Sequence, residues 1–190
     1  GCNYFKEICE FNVISSIDGS EFSKYDIPKI GNTALIFLTQ SGETKDLHRC
    51  IQIGKDNDLF LIGIVNVVDS MIAREVDCGV YLNAGREVGV ASTKCFTNQV
   101  IILALMAVWF SQIHNKNNNK RKKKVNNLRQ LPIHIKETIE ISSSFISKIM
   151  DIVNKDNLFI LGKGNSEAIA REGALKIKEI SYIHAEGYNG

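Results

Sequence analysis

Short apolar runs alternate with helix-compatible stretches through the first half of the chain, and this alternation restricts the fold more than any other feature. Residues 33–39 (TALIFLT) and 59–65 (LFLIGIV) are dense in bulky aliphatic side chains. They are too short for helices and too continuous for strands with one wet face, so they predict strands buried on both faces. Residues 78–82 predict a third strand. Between the runs, residues 44 to about 55 and 70–75 read as helices. Strand and helix in alternation predict a parallel sheet with crossover helices, because parallel strands cannot be joined by a tight turn. The expectation is an α/β fold, with residues 12–15 (NVIS) as a candidate edge strand.

Composition narrows the class further. A chain of 190 residues with 44% hydrophobic and 23% charged residues is globular, not disordered. A net charge of +2 supplies no general pull towards nucleic acid or an anionic membrane. The cysteines, Cys2, Cys9, Cys50, Cys78 and Cys95, are scattered with no C-x-x-C pair. Neither a disulfide framework nor a metal site is expected, and a reducing compartment fits best. Residues 93–114 carry nearly continuous apolar helical sequence, expected to pack across the sheet as a core helix. Its longest apolar run, residues 100–110, is about half of the ~20 residues that a membrane span needs. With no basic stretch and apolar h-region at the N-terminus, the expected location is cytoplasmic.

Residues 115–127 (NKNNNKRKKKVNN) hold one apolar residue among Lys, Arg and Asn and predict a solvated, exposed connection. The basic run 121–124 has no interleaved aromatics and is expected to be solvated, not a nucleic-acid patch. The expected division is therefore a first domain over 1–114, a linker over 115–127 and a second segment over 128–190. In that segment residues 128–154 read as helix, with Pro132 tolerable only near its start. Residues 158–161 read as strand, 162–165 as turn and 166–180 as helix. A single strand and helix cannot close a sheet, so a fragment of a larger protein is expected.

Three places carry chemistry. Thr39-Gln40-Ser41-Gly42-Glu43-Thr44 follows a buried strand and opens a helix, where free backbone N–H groups and the helix dipole favour an anion. The hydroxyls of Thr39, Ser41 and Thr44 add donors. Capping by Ser41 or Thr44 would explain the same residues equally well. No G-x-x-x-x-G-K-[ST] sequence is present, which argues against a nucleoside triphosphate. Residues 85–94 (GREVGVASTK) make a second small-residue junction, with Ser92 and Thr93 at a helix start and capping again the alternative. Two such junctions on neighbouring strands suggest a shared pocket at the carboxyl edge of the sheet. Glu172, Lys176 and Glu179, at i, i+4 and i+7, share one helix face, where they could move a proton or form an ordinary salt-bridge stripe. His184 is either an acid–base group or a structural histidine.

TQSGET, NAGREVGVASTK and EGALKIKEISYIHAE, in this order and at these separations, resemble the isomerase half of the glutamine–fructose-6-phosphate aminotransferases, which contains two sugar isomerase (SIS) domains. The resemblance runs from about Glu21 to His184. It implies a three-layer α/β/α sandwich with a mainly parallel sheet, followed by the start of a second SIS domain. It implies sugar-phosphate contacts from Thr39, Gln40, Ser41 and Thr44, with Thr39 where the family usually has Ser, and sugar contacts from Val90 and Ser92. It implies Glu179 as proton carrier with Glu172 and Lys176 beside it. The implied reaction converts fructose 6-phosphate and glutamine-derived ammonia into glucosamine 6-phosphate, without metal or organic cofactor. The implied partners are a glutaminase domain of the same parent chain and a second copy in a homodimer. The glutaminase motif, the first strand with its C-G-T-S turn, the K-H-G segment and the lysine-bearing tail of the family are absent from these residues, so only part of a site is expected. Two rival readings are a SIS module that senses a sugar phosphate without chemistry and a simple aldose–ketose isomerase. The stripe on residues 172–179 favours an enzyme, and the VASTK segment favours the aminotransferase.

Overall fold

The computed structural model describes residues 1–115, 117–153 and 155–190, which form two compact units, 1–88 with 92–121 and 89–91 with 122–190. In chain order the first unit contains α1 (Cys2–Ile8), a 3-10 turn (Lys24–Asp26), β1 (Ala34–Thr39), α2 (Lys45–Asp56), β2 (Phe60–Val65), α3 (Met71–Glu75), β3 (Cys78–Tyr81) and α4 (Thr93–Ile113). All strand pairs are parallel, in the order β1-β2-β3, with Ala34 opposite Phe60 and Ile62 opposite Cys78.

The pleat of β2 sorts its side chains between two cores. Leu61 and Val65 pack with Phe37, Cys50, Ile51 and Ile72 beneath α2 and α3, whereas Ile64 packs with Leu82, Leu103, Ala107, Phe5 and Ile8 beneath α1 and α4. The result is the expected three-layer α/β/α sandwich. Full burial of one such aliphatic side chain contributes roughly 1.5–3 kcal/mol.

Several expectations are corrected. Burial on both faces holds only for β2. Leu38 of β1 is 41% exposed, and β3 is exposed along its length, because both are outer strands and the helices centre on β2. Residues 12–15 form no strand; they pair with no ladder, and the N-terminus instead contributes α1, whose Phe5 and Ile8 are buried. The helix α4 buries one strip, Cys95, Leu103, Ala107 and Ser111, and leaves Leu105, Trp109 and Ile113 exposed. At 21 residues and a mean hydropathy of 1.5 it is also long and apolar enough to cross a membrane.

The start of the long helix after α4 also differs. Lys116 lies outside the described residues, but α5 (Asn118–Ser143) takes in most of the basic stretch as helix and buries no residue. Lys and Arg are good helix formers, and their charge prevents burial without preventing helix. The helix therefore starts ten residues earlier than expected and encloses Pro132. Hydroxyls of Ser142, Ser143 and Ser144 bond back to carbonyls of the preceding turn, and a break follows before α6 (Ile146–Val153). The expected helix end at Asn154 lies outside the described residues.

The second unit continues with β4 (Asn157–Gly162), α7 (Asn165–Ser181) and β5 (His184–Asn189). The strand β5 was not expected from its polar sequence. It pairs parallel with β4, Asn157 opposite His184 and Gly162 opposite Asn189, which completes a βαβ unit. Ala170 and Ala174 are buried, and Gly187 lies so close to the backbone of Arg171 that any Cβ there would collide.

Pro132 removes the N–H that would bond the Leu128 carbonyl one turn earlier. The change Pro132→Ala should slow amide hydrogen exchange around residues 128–136 by roughly tenfold or more. Unchanged exchange would mean that another feature limits the stability of α5.

Candidate functional site

Residues 39–44 leave the carboxyl end of β1, the edge at which open parallel sheets collect ligands. Thr44 is the N-cap of α2 but makes no side-chain capping bond. The hydroxyls are engaged differently. The Gly42 N–H donates to Thr39 Oγ1 and the Glu43 N–H to Ser41 Oγ, both at 3.2 Å, and Thr39 Oγ1 lies 3.2 Å from Thr44 Oγ1. A hydroxyl oxygen that accepts a backbone N–H keeps its own proton to donate. Thr39 is buried, and the Gln40 carbonyl accepts the N–H groups of Asn66 and Val67, each at 3.2 Å. Gly42 has φ +70°, and a Cβ there would collide with Ser70 Oγ, so glycine is required twice over. The arrangement is a preformed turn offering hydroxyls and helix-start amides to an anion.

The second junction is built differently. Ser92, with φ +49°, is the N-cap of α4 and makes no side-chain capping bond. Instead Glu87 Oε2 accepts the Cys95 N–H at 3.0 Å. The bonds from Cys95 hold the Glu87 carboxyl below the usual range, while burial, with the bond and charge of Glu87, pushes the Cys95 thiol up to about 11. The first turn of α4 thus already gives its Cys95 N–H to a carboxylate from the preceding loop, whereas the carboxylate at the first turn of α2 is Asp46, from the helix itself. The two junctions also lie on strands that flank β2, not on adjacent strands as expected. Val90, in the second unit, is 83% exposed.

Asn66, at the end of β2, was missed by the sequence reasoning. Its N–H reaches the Gln40 carbonyl, its Oδ1 accepts the Ala84 N–H at 3.0 Å, and its Nδ2 donates to the Gly85 carbonyl at 2.8 Å. One residue therefore ties together the two loops on either side of β2, through its backbone N–H on one side and its side chain on the other. A lone polar residue after an apolar run carries no signal of this; only its three partners do.

In the second unit Lys176 Nζ lies 3.2 Å from Glu172 Oε1 and 3.1 Å from Glu179 Oε2. The side chains are 22%, 26% and 31% exposed for Lys176, Glu172 and Glu179, more enclosed than a solvated stripe. Burial alone would lower the ammonium, but the bonds and charges of Glu179 and Glu172 outweigh it and raise Lys176 above the ordinary lysine range. His184 stands apart from this triad. Its Nδ1 is 2.9 Å from Asn157 Oδ1 and its Nε2 is 3.6 Å from Glu186 Oε1, at the amino ends of β4 and β5. Among the described residues no three His, Cys, Asp or Glu side chains converge as a metal would require.

Fold and site together define a parallel α/β sandwich with a hydroxyl-bearing turn and a helix start on its carboxyl edge. The chain belongs to the SIS domain family, which residues 3–109 and 151–190 match. It is 48% identical over its whole length to a protein of Acanthamoeba polyphaga mimivirus named as a probable glutamine–fructose-6-phosphate aminotransferase (isomerizing), covering 31% of that protein. It is 37% identical over 182 residues to the human glutamine–fructose-6-phosphate aminotransferase 2, covering 96% of this chain and 26% of the human one. The chain thus spans about a third or less of these relatives. Among solved structures it resembles the C-terminal domain of the Francisella tularensis glucosamine-fructose-6-phosphate aminotransferase, with a TM-score of 0.86 and 29% identity over 99% of this chain and 53% of that one.

The triad generates a prediction. Removing its cation in Lys176→Met leaves two partly enclosed carboxylates uncompensated and should cost about 1–2 kcal/mol, between the surface and fully buried limits. Because the folded Lys176 value is raised, the contribution of its charge is complete below the ordinary lysine value and fades as pH rises through the raised one. Urea unfolding at neutral pH checks this, and a variant as stable as the wild type would make the triad a mere surface feature.

Proposed function

We propose that this chain is the sugar-phosphate isomerase part of an amidotransferase that makes glucosamine 6-phosphate from fructose 6-phosphate and glutamine-derived ammonia. The observation that carries the reading is the start of α2, where the hydroxyls of Thr39 and Thr44 lie together, with Ser41 in the same turn, and Thr44 does not cap the helix. Aminotransferases of this activity are the relatives matched along the whole chain. Thr39, Gln40, Ser41 and Thr44 bind the phosphate, and Val90 and Ser92 contact the sugar. After ammonia has added at C2 and water has left, Glu179 takes a proton from C1 of the imine and returns one to C2, while the O1 proton passes to the nitrogen, giving the aldose with its amine at C2. Lys176 holds that carboxylate in place, with Glu172 on its other side.

The wider reading assigns residues 1–114 to a first SIS domain, 115–127 to the connection and 128–190 to the link helix and the opening of a second SIS domain. A glutaminase domain of the same parent chain supplies the ammonia. The parent works as a cytoplasmic homodimer, without membrane or nucleic acid and without a cofactor.

Two measurements on the full parent enzyme test this. Ser41→Ala with Thr44→Ala should weaken fructose 6-phosphate binding by at least roughly tenfold in calorimetry on folded protein; unchanged affinity would sink the phosphate assignment. Glu179→Gln keeps shape and reach but loses the base, so turnover should fall by on the order of a hundredfold with binding nearly intact. Solvent exchange of the C1 and C2 protons reads this step without ammonia delivery, and wild-type exchange would remove Glu179 from the catalytic role. A sensor would show no exchange in either protein.

A further inference from the structure

A carboxylate inside an anion-binding turn is an electrostatic liability, and Glu43 sits in the middle of residues 39–44. Its side chain is turned away from that task. Glu43 Oε1 accepts the Met71 N–H at 2.8 Å, at the first residue of α3. Three other bonds join the turn to the segment after β2: the Gln40 carbonyl accepts the Asn66 and Val67 N–H groups, and the Gly42 carbonyl accepts the Ile72 N–H at 3.0 Å. All three use only the backbone of the turn, so they do not depend on which side chains it carries. Glu43 supplies the tie that a side chain makes.

The same junction shows a second feature. Ser70, the residue before α3, is 4% exposed, and its Oγ has no hydrogen-bond partner. It is held against Gly42, whose missing Cβ leaves room for it. An unpartnered buried hydroxyl is unfavourable, so the close approach of these two segments must be maintained by other contacts. The Glu43 bond to Met71 and the Ile72 bond to Gly42 flank that approach on adjacent residues.

We propose that Glu43 is a positioning residue for the anion site. Its carboxylate fastens the Ser41–Gly42 turn to the start of α3 and so presets the hydroxyls of Ser41 and Thr44, while the bond to Met71 directs its own charge away from the anion. The inference rests on the phosphate-binding reading of residues 39–44 and deepens it.

The sign of the effect makes the test decisive. If Glu43 acted only as a nearby negative charge, removing it would tighten anion binding. As a positioning residue, Glu43→Ala should weaken fructose 6-phosphate binding by roughly fivefold or more, because the turn loses preorganisation. Glu43→Gln keeps an acceptor for the Met71 N–H and should restore most of the affinity. Glu43→Asp keeps the charge but falls one methylene short, so it should resemble Glu43→Ala. Calorimetry on the full parent enzyme, with thermal melts to show folding, reads each variant, and Glu43→Gln with Glu43→Asp suffice if the Ala protein does not fold. KM should rise with proton exchange at saturating substrate unchanged. Ser41→Ala with Thr44→Ala serves as the control for the site itself. Loss of affinity in that control, with Glu43→Ala and Glu43→Asp at or above wild-type affinity, overturns the role of Glu43 alone. Loss in Glu43→Gln equal to that in Glu43→Ala also overturns it, since charge and not the acceptor would then matter. An unchanged control overturns the phosphate reading and this inference with it.

Discussion

The parallel pairing of β2 with a strand on each side is the constraint on which the first unit depends. A strand placed between two others and carrying Leu61, Ile62, Ile64 and Val65, all buried, has no face to offer to water. Helices must therefore cover both sides, and α2 with α3 on one and α1 with α4 on the other do so. Parallel pairing has a second consequence. All three strands end on the same edge, so the chain leaves that edge three times, after Thr39, Val65 and Tyr81. Those departures are where polar groups can gather without disturbing the cores, and Asn66 binds the outer two together from the middle one.

The two helix starts on that edge show how local chemistry separates elements of similar sequence. Both follow a strand, both contain glycine and hydroxyl residues, and neither uses a hydroxyl as a cap. At α4 a carboxylate from within the loop takes the Cys95 N–H, and the burial of that cysteine keeps its thiol protonated. At α2 the carboxylate of the turn itself, Glu43, is turned to Met71, Asp46 follows in the first turn of the helix, and the hydroxyls of Thr39 and Ser41 are engaged by backbone amides. An anion gains more from donors already in position than from donors it must order, which favours the start of α2.

The second unit repeats the crossover logic on a smaller scale. Small residues on α7, Ala170 and Ala174, seat the helix on β4 and β5, and Glu172, Lys176 and Glu179 lie off that packed strip. Their mutual ion pairs are possible because i, i+3 and i+4 positions stack along one helix face. The triad is thus a product of helix periodicity, while its partial enclosure comes from packing.

The strands β1 to β3, the helices α2, α3, α4 and α7, and the spacing of the triad could be read from the chain, because apolar runs and helical periodicity are local properties. The α/β class and the parallel direction followed from their order. What could not be read depends on partners distant in sequence. The strand β5 has a polar sequence and exists because β4 offers a free edge. The start of α5 was hidden because Lys, Arg and Asn exclude burial without excluding helix. Residues 12–15 hold the β-branched pair Val13 and Ile14 but have no ladder to join. The roles of Asn66, Glu87 and Glu43 rest on bonds to residues 8 to 28 positions away, set by the sheet edge and not by neighbours in the chain. Local sequence determined which segments became helix or strand, because that choice is made within a few residues. Tertiary structure alone decided which hydroxyls and carboxylates stay available, because that depends on which backbone donors the folded sheet brings within reach.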